Sequence, residues 1–318
     1  MKRPFVVSII FLTLIVAAAS LPPSRKKQRI ALGEKLFNEK MLSKDSSVSC
    51  ASCHKPDFAF ADTVAFSVGI GGRLTTRNTP SVLNMKNRPY YFWDGRAATL
   101  EEQALIPLQN PDEMGLSIPE ALKRLNESDE YRKLFYKVFR QNPNEKNLAS
   151  AFAAYEQTLE TVDSKFDDWS NNKIELSESE ERGRQLFVGS KAKCFECHLM
   201  EDFTDDSFKN IGLFDGKDLN DAGRFLITGD SADLGKFKTP GLRNVAVTGP
   251  YMHNGMFNTL HQVLAYYNAP GHFVDNPLNI DSSLAAPLGL TPGERKDIVA
   301  FLETLTDRKH AKKTSEKK

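Results

Sequence analysis

Every cysteine of the chain lies in one of two matching pentapeptides, Cys50-Ala51-Ser52-Cys53-His54 and Cys194-Phe195-Glu196-Cys197-His198. Two thiols three positions apart can each form a thioether to one of the two vinyl groups of a haem, and a histidine directly after them can take the iron as proximal ligand. That is the attachment signal for a c-type haem. Zinc would ask for four converging ligands, and neither pair has a second histidine near it. A thioredoxin-like dithiol gives no reason for the same histidine to follow twice, and two structural disulfides give none for the spacing. Two covalent haems held by Cys50, Cys53, His54, Cys194, Cys197 and His198 account for all six residues.

The surroundings of the two sites repeat. Gly33-x-x-Leu36-Phe37 precedes the first pair and Gly183-x-x-Leu186-Phe187 the second. Further on, residues 79–100 match residues 239–260 without a gap, and Thr79, Pro80, Asn84, Tyr91, Gly95, Thr99 and Leu100 recur as Thr239, Pro240, Asn244, Tyr251, Gly255, Thr259 and Leu260. The chain therefore reads as two tandem cytochrome c-like haem domains related by internal duplication. The same offset carries Pro107 onto Tyr267. A tyrosine can ligate iron and a proline cannot, so if this position faces the iron in both halves, the second haem is six-coordinate and the first keeps an open position. Met252 and Met256 are the rivals to Tyr267 as axial ligand. His253, His261 and His272 are possible ligands, but a histidine with no motif around it reads first as a surface residue.

The elements that must hold these residues are mostly helical. Apolar residues recur at helical spacing over 28–37, 100–108, 118–125, 148–159, 178–187, 260–267 and 292–305, with Ser117 and Thr291-Pro292 as caps. The segments 69–80 and 228–250 are rich in Gly and Pro and read as loops over the haems. The fold class is mainly α, with an N-terminal haem domain over 26–170, a C-terminal one over 178–306, and a boundary between Trp169 and Ser177. Residues 1–19 read as a signal peptide: Lys2 and Arg3, an apolar run from Phe5 to Val16, then Ala17-Ala18-Ala19. Export to the periplasm follows, and the run falls short of the roughly 20 apolar residues that span a bilayer. Disorder is expected through Pro22, Pro23 and the basic stretch 25–27, and the charged tail 307–318 is expected to be solvated. Lys and Arg number 42 against 41 Asp and Glu. That balance gives no bulk electrostatic reason for nucleic acid or an anionic membrane as partner.

Over nearly the whole mature chain the sequence resembles the bacterial di-haem cytochrome c peroxidase family, including its MauG branch. The matches are Arg77-Asn78-Thr79-Pro80, Phe92-Trp93-Asp94-Gly95-Arg96-Ala97, Glu102-Gln103-Ala104, Pro107-x-x-x-Pro111-x-Glu113-Met114, Leu242-Arg243-Asn244-Val245 and Thr248-x-Pro250-Tyr251-x-His253-x-Gly255. The resemblance implies that Glu113 is the distal acid and base that moves a proton between the oxygens of peroxide. It implies that Gln103 and Pro107 line the same pocket and that Trp93 is the electron conduit between the haems. Asn78, Thr248 and Pro250 would hold an interdomain calcium ion through oxygen ligands. Two departures matter. The loop 55–80 lacks the histidine that in many of these peroxidases closes the distal site until reduction, so the first haem is expected to be open at rest. Tyr267 stands where typical peroxidases have methionine and MauG-like proteins have tyrosine, whereas Lys191-Ala192-Lys193 lacks the tryptophan with which MauG draws electrons from its protein substrate. The implied activity is reduction of hydrogen peroxide to water by a small cytochrome c or copper protein, with a homodimer as an expected assembly. A MauG-like oxidation of a partner protein and a non-catalytic di-haem electron carrier are the alternatives.

Overall fold

Capped helices joined by long loops build both halves, in a computed structural model that describes residues 24–199 and 201–315. Residues 1–19, read as a signal, lie outside the described residues. In chain order the helices are α1 (Arg25–Phe37), α2 (Cys50–Cys53), α3 (Leu100–Gln109), α4 (Ile118–Glu127), α5 (Asp129–Phe139), α6 (Glu145–Glu156), α7 (Lys165–Ser170), α8 (Glu178–Val188), α9 (Phe225–Thr228), α10 (Leu260–Asn268), α11 (Pro292–Glu303) and α12 (Arg308–Ser315). Extended structure among the described residues is one antiparallel pair, Phe208–Lys209 with Phe237–Lys238.

The repeated glycines explain how each half closes. A Cβ on Gly33 would stand 2.0 Å from the Ala151 carbonyl oxygen, and one on Gly183 would stand 1.9 Å from that of Asp297. Only glycine lets α1 lie on α6, and α8 on α11, at this distance. Around those crossings the cores fill separately. In the first half Leu36, Leu108, Tyr131, Phe135, Leu148 and Phe152 pack together; in the second Phe187, Phe203, Ile298, Phe301 and Leu305 do. The repeat extends to backbone geometry. Tyr91 bridges Ala97 as Tyr251 bridges Phe257. Asn84 and Asn244 take φ +58° and +64°, and Gly95 and Gly255 take +71° and +63°. Thr99 and Thr259 cap α3 and α10 in the same way, each accepting from the backbone N–H three residues on.

Four sequence expectations shift. The basic stretch 25–27 is the first turn of α1, because the Ser24 hydroxyl accepts from the Lys27 N–H and caps it. The helix expected over 148–159 starts earlier, at Glu145, where the Asn144 side chain caps it. The helix α7, expected at the end of the first domain, opens with a capping box between Ser164 and Asp167 and packs on the second core, with the Phe166 ring 5.1 Å from that of Phe203. The Phe166 N–H also donates to the Thr304 carbonyl at 3.0 Å. The start of the tail is not solvated. The Asp307 N–H donates to Asn244 Oδ1 at 2.9 Å, Asp307 and His310 are buried, and Arg308 pairs with Asp163 and Asp168.

Candidate functional site

One helical turn, α2, sets up the first site. It brings Cys50 and Cys53 to one side, and the Ser49 N–H donates to Ser52 Oγ at 2.9 Å to start the turn. His54 follows, with its ring Nδ1 3.1 Å from the Phe60 carbonyl. A carbonyl only accepts, so Nδ1 carries the hydrogen and Nε2 is left with a lone pair for a metal. Burial holds the imidazole below its ordinary pKa, which keeps it neutral. His198 repeats this with the Phe203 carbonyl at 2.9 Å, and its pKa too is lowered by burial. Phe37 and Phe187 back the two rings at 6.3 and 6.5 Å.

A cavity of about 670 Å³ opens on Cys50, Cys53 and His54, and Trp93, Arg96, Gln103, Pro107 and Glu113 line it as well. Glu113 hangs from the turn after α3. Asn110 Nδ2 donates to its Oε1 at 2.6 Å, and the Ile70 N–H donates to its carbonyl at 2.9 Å. Gly69 is the residue that lets the 69–72 loop meet this turn, since a Cβ there would stand 2.1 Å from the Asp112 oxygen and 2.7 Å from that of Glu113. Burial raises the Glu113 carboxyl above the usual carboxylate range, and the Asn110 amide and Arg96 pull against it. Gln103 Oε1 is buried with no hydrogen-bond partner among the described residues.

The second cavity, about 290 Å³, is lined by Cys194, Cys197 and His198 together with Met252 and Tyr267. Pro107 and Tyr267 thus each line the cavity of their own half. Tyr266 is fully buried and its hydroxyl donates to the Ile211 carbonyl at 2.5 Å, so it is committed to the core. The Tyr267 hydroxyl makes no hydrogen bond among the described residues, and burial, followed by the charges of Cys194 and Cys197, raises its pKa. Met256 is exposed and away from this cavity, leaving Met252 as the methionine present.

Trp93 lines both cavities. Its indole N–H donates to the Asn78 carbonyl at 2.8 Å, and its own carbonyl accepts from the Lys238 N–H at 2.7 Å, which ties it to both halves. Asn78 spends its amide N–H groups on the Val64 and Ala65 carbonyls, so Oδ1 is its free end, and Thr248 and Pro250 line the same second cavity. His253 is stacked on Phe237 at 3.7 Å, and burial pushes its imidazole down to about 4. His261 and His272 are exposed. Among the described residues no three His, Cys, Asp or Glu side chains gather as a metal cluster.

The family description that matches, over residues 27–175, is the di-haem cytochrome c peroxidase. The methylamine utilization protein MauG of Methylorubrum extorquens is 38% identical over 281 residues, covering 87% of this chain and 78% of that one. The cytochrome c551 peroxidase of Nitrosomonas europaea is 36% identical over 280 residues, covering 86% and 79%. The chain belongs to the di-haem cytochrome c peroxidase family. Its fold agrees with that membership: the diheme peroxidase BthA from Burkholderia thailandensis E264 superposes with a TM-score of 0.79 at 27% identity, covering 89% of this chain and 86% of that chain. A MauG-like protein associated with microbial copper homeostasis does so at 0.79 and 34%, covering 90% and 91%.

The residues present fit the two haems that the family implies. Both histidines present Nε2 as the nitrogen for a metal, and all four cysteines are free thiols at the cavity walls. Sequence reasoning missed three further features of the site. Arg96 lies 3.6 Å over the Phe92 ring and pairs with Asp94; its place in the repeat, where the second half has Met256, was the available signal. Arg77 joins Asp94 to Asp221 across the halves. Glu156 lines the first cavity and is 5% exposed. It falls one turn after Phe152 and two after Leu148, on the helix face that packs.

Proposed function

We propose that the protein is a periplasmic di-haem peroxidase that reduces hydrogen peroxide to water with electrons from a small c-type cytochrome or copper protein. The observation that carries this reading is the pair Pro107 and Tyr267, equivalent in the repeat, each at its own cavity. One half presents a ring that cannot ligate, the other a phenol that can. Bound haem supplies an iron at which peroxide takes up electrons.

The chain does the rest. Glu113 takes the proton from the near oxygen of peroxide and returns it to the far one, so that the O–O bond breaks heterolytically. Its burial raises its proton affinity and the Asn110 amide restrains that rise, a balance suited to a group that must both accept and donate. Gln103, with its unpartnered oxygen, accepts a hydrogen bond from the incoming peroxide. Pro107, in the place that Tyr267 takes in the other half, would offer no ligand to a bound haem. Trp93, which lines both cavities, carries electrons between the halves. Asn78 Oδ1 with the Thr248 and Pro250 carbonyls forms the oxygen set for calcium between the halves. Export rests on the Lys2 to Ala19 pattern; among the described residues no helix is long and apolar enough to cross a membrane.

A second reading, MauG-like oxidation of residues on a partner protein, is favoured by Tyr267 itself. A phenolate ligand favours oxidised iron more than a thioether does, and lets the second half share oxidising equivalents with the first. The deciding experiment is an EPR spectrum of the fully oxidised holoprotein before and after one equivalent of peroxide. A high-spin signal that disappears supports the catalytic reading. Its absence from the start favours a plain electron carrier.

A further inference from the structure

We propose that Glu156 is a second acid of the first cavity, which protonates the second oxygen of peroxide after the first water has left and is reloaded from solvent. This inference rests on the peroxidase reading.

Glu156 closes α6 at 5% exposure, lines the cavity that holds Cys50, Gln103 and Glu113, and keeps its Oε2 buried with no partner among the described residues. Leaving a carboxyl buried and unpaired is costly, and helix packing does not require one here. The helix crossings supply the control. Five residues beyond Ala151, which faces Gly33, stands Glu156; five beyond Asp297, which faces Gly183, stands Leu302, and Leu302 lines the second cavity. An apolar residue therefore serves the fold at this position. The carboxyl occurs in the half whose cavity carries Pro107, a residue that cannot ligate.

Its surroundings keep it protonated. The groups that act on it or that it acts on are Glu101 from α3, Cys50 from α2, Tyr91 and its own neighbour Tyr155, with no basic side chain acting on it. Burial, with Glu101 adding, pushes it up to about 8.

The proton count requires such a group. Reducing one peroxide to two waters consumes two electrons and two protons. Glu113 only relocates a proton that peroxide already carries, and this releases the first water. The second oxygen then needs two electrons, from the cytochrome or copper protein, and two protons from outside. Glu156 breaks its O–H bond to supply one of them and regains a proton from solvent, which supplies the other.

The test uses the holoprotein with both haems, and Glu156→Gln and Glu156→Leu variants. Glu156→Gln is nearly isosteric and tolerates the site if the leucine variant does not fold. Infrared difference spectra at pH 7 should show a neutral carboxylic acid in the wild type that is missing in Glu156→Gln. A carboxylate signal there instead overturns the proposal. In single turnover with one equivalent of peroxide and reduced cytochrome c, peroxide should disappear within about twofold of the wild-type rate. Return to the resting spectrum should slow by on the order of 100-fold, the usual worth of a placed acid. Glu113→Gln should show the reverse pattern. Unslowed return with normal peroxide consumption removes Glu156 from the mechanism, whereas a wild type that does not consume peroxide removes the peroxidase reading itself.

Discussion

Arg77 grips Asp221 through two hydrogen bonds, Nε to Oδ2 at 2.7 Å and Nη2 to Oδ1 at 2.8 Å, while its Nη1 reaches Asp94 at 2.5 Å. One guanidinium thus joins the Trp93 loop of the first half to the Asp221 loop of the second. Arg77→Ala leaves Asp94, 5% exposed at its side chain, with only Arg96, and is expected to cost about 3–5 kcal/mol in urea unfolding. Arg77→Lys should recover little, because an ammonium cannot serve both carboxylates with a planar fork. A lysine variant as stable as wild type would show that charge alone suffices.

Asn110 is expected to act on rate through Glu113. Its amide donates to the charged form of that carboxyl, so Asn110→Ala removes a force that lowers the pKa while burial, which raises it, remains. The limb of the pH–rate profile that requires ionised Glu113 should therefore move to higher pH, and Glu113→Gln should slow peroxide cleavage by ~100-fold or more at every pH. The measurement is stopped-flow bleaching by peroxide from pH 4 to 9. An unmoved profile in Asn110→Ala contradicts the assignment.

Gly33 and Gly183 should be equally intolerant. Alanine at either would place a Cβ about 2 Å from a backbone oxygen of the opposing helix, which a rigid carbonyl cannot yield to. Each substitution should cost at least the ~1–3 kcal/mol typical of overpacking, read as a lowered unfolding midpoint. Gly71→Ala is a comparison with space but a φ of +60°, and should cost less.

His253 makes stability fall in acid. Burial against Phe237 holds its imidazole at about 4, below the ordinary 6.5, so the unfolded chain binds a proton that the folded one refuses. The stability it contributes is fully present above pH 6.5 and is lost as pH falls from there towards 4, by up to ~1.4 kcal/mol per unit. Asp221 opposes the shift and Arg77 supports it. His253→Phe should flatten this part of a stability-against-pH curve. An unchanged slope would place the acid sensitivity elsewhere.

What the sequence revealed follows from how local each signal is. The haem motifs and the repeated Gly-x-x-Leu-Phe were readable because each lies within a few residues; that Gly33 and Gly183 mark helix crossings was not, because Ala151 and Asp297 are remote in the chain. Pro107 and Tyr267 were readable because one constant offset relates the halves from Thr79 onward. Glu156 was not, since a glutamate ending an amphipathic helix ordinarily meets water, and only the packed structure shows the cavity behind it. Lys165–Ser170 reads as the end of the first domain because Ser170-Asn171-Asn172-Lys173 separates two helical patterns, and nothing local shows the core on which Phe166 lands. Asp307 to His310 read as a charged tail because a cap made with Asn244, sixty-three residues earlier, leaves no local trace.

Tyr267 should decide how the second haem behaves. Its phenol makes no hydrogen bond among the described residues and stands at the cavity of Cys194, Cys197 and His198, whereas its neighbour Tyr266 is tied to Ile211. Tyr267→Phe keeps the ring and removes the ligating oxygen, so oxidised holoprotein should show a second high-spin signal in EPR, or a low-spin one if Met252 moves in. Tyr267→Met offers a thioether, which should raise the reduction potential of the second haem and shift the protein towards a donor-driven peroxidase. Redox titration of the two variants beside the wild type separates these outcomes. A second haem whose spectrum and potential are the same in all three proteins would assign the sixth ligand to Met252, and the asymmetry between Pro107 and Tyr267 would no longer set the roles of the two halves.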